Sequence, residues 1–201
     1  MCHLREDRRH IRDNDVKRLR KAVATKLDLE MAATSEIVAV ALRVRPDLVT
    51  LVPEHRKELT TEGGLDVVRL RSSLKNVIGR FHDRGIPVSL FIDPRKVQVD
   101  ASAEAGADMV EIHTGEYADA RTDRRTTSCL GMISTTAKYA AGLGLTVNAG
   151  HGLDYKNTGA IARIGSIEEI SIGHAIVVRA VEIGFGPAVR EMVQLVKKNP
   201  G

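Results

Sequence analysis

The chain has 201 residues, of which 43% are hydrophobic and 28% are charged, and its formal net charge is +4. This composition predicts one folded globular domain and excludes intrinsic disorder. No apolar run approaches the roughly 18 residues of a membrane helix, and the amino terminus lacks the apolar core of a secretion signal, so we expect a cytoplasmic protein without a membrane partner. Aromatic residues make up only 3% of the chain. Stacking platforms for single-stranded nucleic acid are therefore nearly absent, and nucleic acid is not an expected partner.

Short β-rich runs alternate with longer amphipathic runs along the whole chain. The first four residues, MCHL, resemble the end of a strand, and a helix pattern follows at 14–24. The later predicted strands lie at 27–31, 48–53, 88–93, 109–114, 145–150 and 169–176. The clearest helix patterns between them are 36–44 and 65–83, where apolar residues recur every three or four positions. Strand and helix in regular alternation predict an α/β domain of parallel strands joined by right-handed crossovers.

Ionisable or polar side chains stand at the carboxyl end of nearly every predicted strand. They are Glu30, Glu54, Asp93, Glu111, His113, Asn148, His151 and His174. An open sheet binds ligands at one switch point, whereas a (β/α)8 TIM barrel collects functional groups from many strand ends on one face. The distribution therefore favours the barrel. A barrel uses about 31 residues for each βα unit, so we expect residues 1–201 to form a single, partial TIM-barrel domain that lacks one unit.

Two glycine turns follow the last two predicted strands, at Gly150-His151-Gly152 and at Gly173-His174. Backbone N–H groups in these turns, with the N-terminus of a helix predicted from Val177, would form a cradle for an anion such as phosphate. The alternative is that the glycines only permit tight turns and that the histidines cap them. Two such turns on adjacent strands favour a phosphate site.

Acid–base chemistry is predicted at the same strand ends, where His3, Glu30, Glu111 and His151 would face one mouth. An ion pair inside the barrel is the alternative interpretation of Glu111. No lysine stands at a strand end, which disfavours a Schiff base on the protein. No His-x-His or His-x-x-x-His pair occurs, so no metal site is predicted, and a metal-dependent barrel hydrolase is the less favoured hypothesis.

Seven stretches of the chain together resemble the pyridoxine 5′-phosphate synthase family of vitamin B6 biosynthesis. They are HLREDRRHI, LDLEMA, LVPEHRKELTTEGGLDV, VSLFID, VEIHTGEYADA, GLTVNAGHGLDY and IGHAIVVRAV. The resemblance implies a TIM barrel that condenses 1-deoxy-D-xylulose 5-phosphate with 3-amino-2-oxopropyl phosphate. The products would be pyridoxine 5′-phosphate, phosphate and water. It also implies homo-oligomers, which are octamers in the family, and no metal or organic cofactor.

The matching motifs imply roles for individual residues. His3 and Glu30 would be proton acceptors, and His151 would be the proton donor. Glu111 would stabilise a charged intermediate. The residues expected to bind deoxyxylulose phosphate are Arg5, His10 and Thr60. Those expected to bind the aminoketone phosphate are Gly152, Gly173 and His174.

The beginning of the chain departs from the family pattern. Members of the family begin with a strand whose Asn, Asp-His pair and Arg contact the substrates, whereas this chain opens at the end of the second strand. The start codon could be assigned too late, the missing unit could come from another chain, or the chain could be a decayed remnant. The alternative function is therefore an inactive truncated remnant or a non-catalytic phosphate-binding or assembly subunit of the same fold.

Overall fold

The computed structural model describes residues 1–54 and 63–197. These residues form two compact units. The first contains Met1–Asp93 with Val97–Glu111, and the second contains Pro94–Lys96 with the chain from Ile112 onward. Thr60, one of the predicted substrate-binding residues, lies outside the described residues.

The first unit alternates strands and helices. Its strands are β1 (Cys2–Leu4), β2 (Asp28–Met31), β3 (Leu48–Leu51) and β4 (Val88–Ile92). Its helices are α1 (Asp13–Ala22), α2 (Ser35–Val44), α3 (Val67–His82) and, apart from its first residue, α4 (Lys96–Ala105). Strand β5 (Met109–His113) belongs to this unit as far as Glu111. The alternation predicted from sequence is confirmed.

Parallel pairing sets the register of the first unit. Strand β1 pairs with β2, β2 with β3, and β3 with β4. His3 lies opposite Glu30, and Glu30 lies opposite Thr50. All residues of β3 and β4 are buried, as expected for parallel strands that are covered on both faces. This burial explains why the two strands are apolar in sequence apart from Thr50 and Ser89.

The second unit continues the chain from the end of β5. Its further elements are α5 (Gly115–Ala118), α6 (Asp123–Gly142), β6 (Thr146–Gly150), α7 (Thr158–Ala162), β7 (Glu169–Ser171), α8 (His174–Ile183) and α9 (Phe185–Lys197). Strands β6 and β7 are parallel neighbours, with Gly150 opposite Ser171. The prediction that the two glycine turns follow adjacent strands is therefore confirmed.

The predicted end of the last strand and the predicted start of the helix after it are wrong. The strand predicted at 169–176 ends at Ser171, and the helix predicted from Val177 begins at His174. The N–H of Val177 donates to the carbonyl oxygen of Gly173 at 3.1 Å, which closes the first helical turn three residues earlier than expected.

Among the described residues, no helix is long and apolar enough to cross a membrane.

Candidate active site

His3 lies between two carboxylates in the first unit. Its Nε2 is 2.8 Å from Oε1 of Glu54, and its Nδ1 is 3.7 Å from Oε2 of Glu30. The side chains of His3 and Glu30 are 20% and 24% exposed, so a small molecule can reach both groups. The parallel register of β1 and β2 thus brings together the two residues predicted to accept protons.

Glu54 is held by two donors and has no role in the sequence-based hypothesis beyond its place after a strand. Its second oxygen, Oε2, accepts the backbone N–H of Glu6 at 2.8 Å. Burial alone would raise the pKa of Glu54, but the hydrogen bonds with His3 and with Glu6 lower it below its ordinary value. The carboxylate of Glu54 is therefore ionised at neutral pH.

Glu30 experiences the opposite effect. Burial raises the pKa of Glu30, although the nearby imidazole of His3 opposes the shift. Two carboxyl groups with pKa values displaced in opposite directions thus lie on either side of one imidazole. Such environments separate proton donors from proton acceptors, and they are typical of sites that transfer protons.

The first unit also contains three other residues that the sequence analysis assigned to the site, namely Arg5, His10 and Glu111. Arg5 follows β1 and is 7% exposed, with its Nε 3.9 Å from Oδ1 of Asp7. His10 lies in the connection between β1 and α1 and is exposed. Glu111 is buried on β5. Within residues 1–54 and 63–197, no group of three His, Cys, Asp or Glu side chains is placed to hold a metal ion.

His151, in the second unit, stands in a strained turn after β6. Its φ is +86°, in the left-handed region that residues with a Cβ rarely adopt. The hydroxyl of Thr114 lies 2.8 Å from the carbonyl oxygen of Gly150 and 2.6 Å from that of His151, and it donates to them. Thr114 therefore holds the strained turn in place from the neighbouring strand end.

A second imidazole lies beside His151. The rings of His113 and His151 are 4.9 Å apart between centroids and meet edge to face. Burial lowers the pKa of His151, and the neighbouring His113 lowers it further. Sequence reasoning noted His113 at a strand end but did not pair it with His151, because the pairing depends on how the turn after β6 folds back.

Gly115 packs closely against this imidazole pair, and Gly152 packs against the helix that Gly115 begins. A Cβ on Gly115 would lie 2.5 Å from Nε2 of His113 and 3.3 Å from Cδ2 of His151. A Cβ on Gly152 would lie 2.7 Å from that of Ala118, and Gly152 also has a φ of +73°. Gly152 is thus required by the turn itself, whatever the turn binds.

Gly173 and His174 begin α8 and differ from Gly152 in their surroundings. Both are exposed, and a Cβ on Gly173 would meet nothing within 4 Å. Gly173 is the N-cap of a ten-residue helix, so the first N–H groups of α8 have no partner within the helix. This end of α8 can accept an anion from solvent.

A solved structure shares the fold of this chain. The structure titled "Crystal structure of KGPDC from Streptococcus mutans" aligns with a TM-score of 0.64, covering 94% of this chain and 80% of that one, at 15% sequence identity. At 15% identity, this similarity shows that the two chains share a fold and shows nothing about function. The predicted α/β fold of the TIM-barrel type is confirmed.

Sequence comparison defines the family more narrowly. The family described as "Pyridoxal phosphate biosynthesis protein PdxJ" matches residues 1–198. The pyridoxine 5′-phosphate synthase of Chlorobium phaeobacteroides is 56% identical over 197 residues, which are 98% of this chain and 84% of that protein. The synthase of Geobacter sulfurreducens is 56% identical over 195 residues, or 97% and 82% of the two chains. The chain belongs to the PdxJ family, and the predicted role in vitamin B6 biosynthesis is confirmed.

Proposed function

We propose that this chain is a pyridoxine 5′-phosphate synthase that joins 1-deoxy-D-xylulose 5-phosphate to 3-amino-2-oxopropyl phosphate. The observation that carries the proposal is His3 between Glu30 and Glu54, in a chain 56% identical to proteins of that name. Ring closure needs protons to be taken from carbon and given to departing oxygen. A half-buried imidazole that is hydrogen-bonded to one carboxylate and has a second carboxylate near its other nitrogen is suited to the first task.

The roles proposed for the individual residues are those that the matching family motifs imply. His3 and Glu30 accept protons, His151 donates one, and the buried Glu111 stabilises a charged intermediate. Arg5, His10 and Thr60 bind the phosphate of deoxyxylulose. The Nε of Arg5 supports this assignment, because this buried N–H forms no hydrogen bond with any described residue.

The second phosphate would bind at the glycine turns of the second unit. Gly152, Gly173 and His174 present backbone N–H groups there, and the open N-terminus of α8 adds its dipole. The same proposal includes one partial TIM-barrel domain over 1–201, a homo-oligomer and a cytoplasmic location. No metal or organic cofactor enters the proposed reaction.

A steady-state assay with both substrates tests the proposal. We expect pyridoxine 5′-phosphate to form, and we expect His3→Ala and His151→Ala each to lower kcat by roughly 10²- to 10⁴-fold, the usual contribution of general acid–base catalysis. His82→Ala is the matched control. His82 is a surface histidine paired with Asp108 at 2.8 Å, and its loss should leave turnover unchanged.

The alternative, a phosphate-binding subunit or inactive remnant, predicts a different result. Inorganic phosphate or either substrate would bind, as measured by calorimetry, but no product would form from the wild-type chain. Turnover that survives both His3→Ala and His151→Ala would refute the assigned roles even if product does form.

A further inference from the structure

We propose that Glu54 is a positioning residue for His3, which it holds as the Nε2–H tautomer so that Nδ1 is the nitrogen that accepts the substrate proton. The inference rests on the proposed function for the meaning of Nδ1 in catalysis. The hydrogen bond that carries it is present in the structure independently of any reaction. Neither the sequence motifs nor the named relatives assign a role to Glu54.

The two contacts of His3 are chemically different. The 2.8 Å separation between Nε2 and Oε1 of Glu54 is a hydrogen bond, whereas the 3.7 Å between Nδ1 and Oε2 of Glu30 is too long for one. An ionised carboxylate can only accept, so Nε2 must carry the hydrogen. In the neutral imidazole this leaves the lone pair on Nδ1, the nitrogen that faces Glu30.

Glu54 is itself fixed. Its other oxygen accepts the N–H of Glu6 at 2.8 Å, and its side chain is only 5% exposed. Both carboxylate oxygens are therefore committed, one to a backbone donor that cannot change and one to the imidazole. Orientation of a histidine by a buried carboxylate on the ring nitrogen away from the reacting atoms is a recurring catalytic device.

This double commitment determines what glutamine would do at position 54. A glutamine has one acceptor oxygen, while two donors, the N–H of Glu6 and the N–H of His3, require one each. The backbone N–H has no alternative protonation state, so the amide oxygen should turn toward Glu6 and the NH₂ group toward His3. The imidazole must then accept at Nε2 and carry its hydrogen on Nδ1. Glu54→Gln should therefore switch the tautomer and protonate the nitrogen that has to be free.

The other charged groups around His3 leave this argument intact. Glu30 lies at 3.7 Å on the Nδ1 side, and the cation of Arg5 acts on Glu30 and Glu54 alike. Neither forms a hydrogen bond with Nε2 in the described part of the chain, where Glu54 occupies that position. Fixing the tautomer is thus a task for Glu54 alone of these three residues.

Long-range ¹H–¹⁵N correlation spectra of histidine-labelled protein distinguish the two tautomers directly. The resonances of His3 are assigned by their loss in His3→Gln, and kcat and KM are measured on the same samples. Glu54→Asp keeps both acceptor oxygens and is the conservative variant. Glu104→Gln is the matched control, since it removes a surface carboxylate paired with Arg71.

We expect the Nε2–H tautomer in the wild type, in Glu54→Asp and in Glu104→Gln, and the Nδ1–H tautomer in Glu54→Gln. We expect kcat of Glu54→Gln to fall by about 10²-fold with KM changed less than about threefold, because the loss of a proton acceptor affects the chemical step. Glu54→Asp should retain at least a tenth of the wild-type kcat. Glu104→Gln should match the wild type.

Three results would overturn the inference. They are an Nδ1–H tautomer in the wild type, an unchanged tautomer in Glu54→Gln, and a kcat for Glu54→Gln within threefold of the wild type. If Glu54→Gln does not fold, the wild-type tautomer and the kcat of Glu54→Asp decide the question. If the wild type turns over neither substrate, the proposed function fails while the tautomer spectra still test the role of Glu54.

Discussion

Asp28, the first residue of β2, is a buried acid whose replacement should stabilise the protein in a pH-dependent way. Its side chain accepts the hydroxyl of Thr50, which lies 3.0 Å from each carboxylate oxygen, and the residue is 7% exposed. Burial raises the pKa of Asp28 to about 6, and the hydrogen bond from Thr50 only partly opposes the shift. Asp28→Asn removes the charge and keeps an oxygen that can accept from Thr50.

The sign and size follow from proton linkage. An acid whose folded pKa lies above its unfolded value of about 3.9 destabilises the folded state once the unfolded state can ionise. Stability is therefore lost as pH rises from about 4 to about 6, and the loss is constant above that. At 1.36 kcal/mol for each pKa unit, Asp28 destabilises the folded state by at most about 3 kcal/mol at pH 7.5 and about 1 kcal/mol at pH 4.5. The free energy of unfolding of Asp28→Asn, relative to that of the wild type, should therefore be about 2 kcal/mol higher at pH 7.5 than at pH 4.5.

Urea unfolding of both proteins at the two pH values measures this difference. The asparagine NH₂ group can cost about 1–3 kcal/mol if it is left without a partner, but that cost does not vary with pH. Asp47→Asn is the control, because a hydrogen bond from the backbone N–H of Leu27, together with Arg20, lowers the pKa of Asp47. It should lose nearly the same stability at pH 7.5 as at pH 4.5, because both values lie above the unfolded pKa of an aspartate, about 3.9. A stability change in Asp28→Asn that is the same at both pH values would refute the reasoning.

The imidazole pair of the second unit gives two further predictions. Gly115→Ala should lower the free energy of unfolding by about 1–3 kcal/mol, because the new Cβ would overlap His113. Urea unfolding measures this loss, and Gly131→Ala is the control because a Cβ at Gly131 meets nothing within 4 Å. Equal effects of the two substitutions would contradict the prediction. His113→Asn should raise the pKa of His151, because it removes the neighbouring imidazole that lowers this pKa in addition to burial. The activity should then extend to higher pH. NMR titration measures the pKa of His151, and an unchanged or lower pKa would contradict the prediction.

Most of the fold could be predicted because strands β3 to β6 are largely buried and mostly apolar. The runs at 88–93 and 145–150 match β4 and β6 to within one residue at each end. The run at 169–176 misled, because the β-branched residues after Ser171 belong partly to α8. A short apolar run does not distinguish a strand from the first turn of a helix. Gly173 gave the available signal, as a break within the run.

The candidate site was predictable in part. Pairing of His3 with Glu30 follows from adjacent parallel strands, which sequence order alone makes probable. The contact of His3 with Glu54 does not follow from sequence order. It depends on the chain after β1 bringing the N–H of Glu6 to the same carboxylate, and local sequence carries no sign of that contact. The contact between His113 and His151 depends in the same way on the turn after β6.

The two imidazoles proposed for catalysis differ in what surrounds them, and the difference fits their proposed roles. His3 has a carboxylate near each ring nitrogen, and a carboxylate stabilises the imidazolium that forms when a proton is accepted. His151 has another imidazole beside it, and burial together with that imidazole lowers its pKa. Once protonated, such an imidazolium is a stronger acid than ordinary histidine and gives up its proton readily. The proposed roles of acceptor and donor thus correspond to different surroundings of two chemically identical side chains.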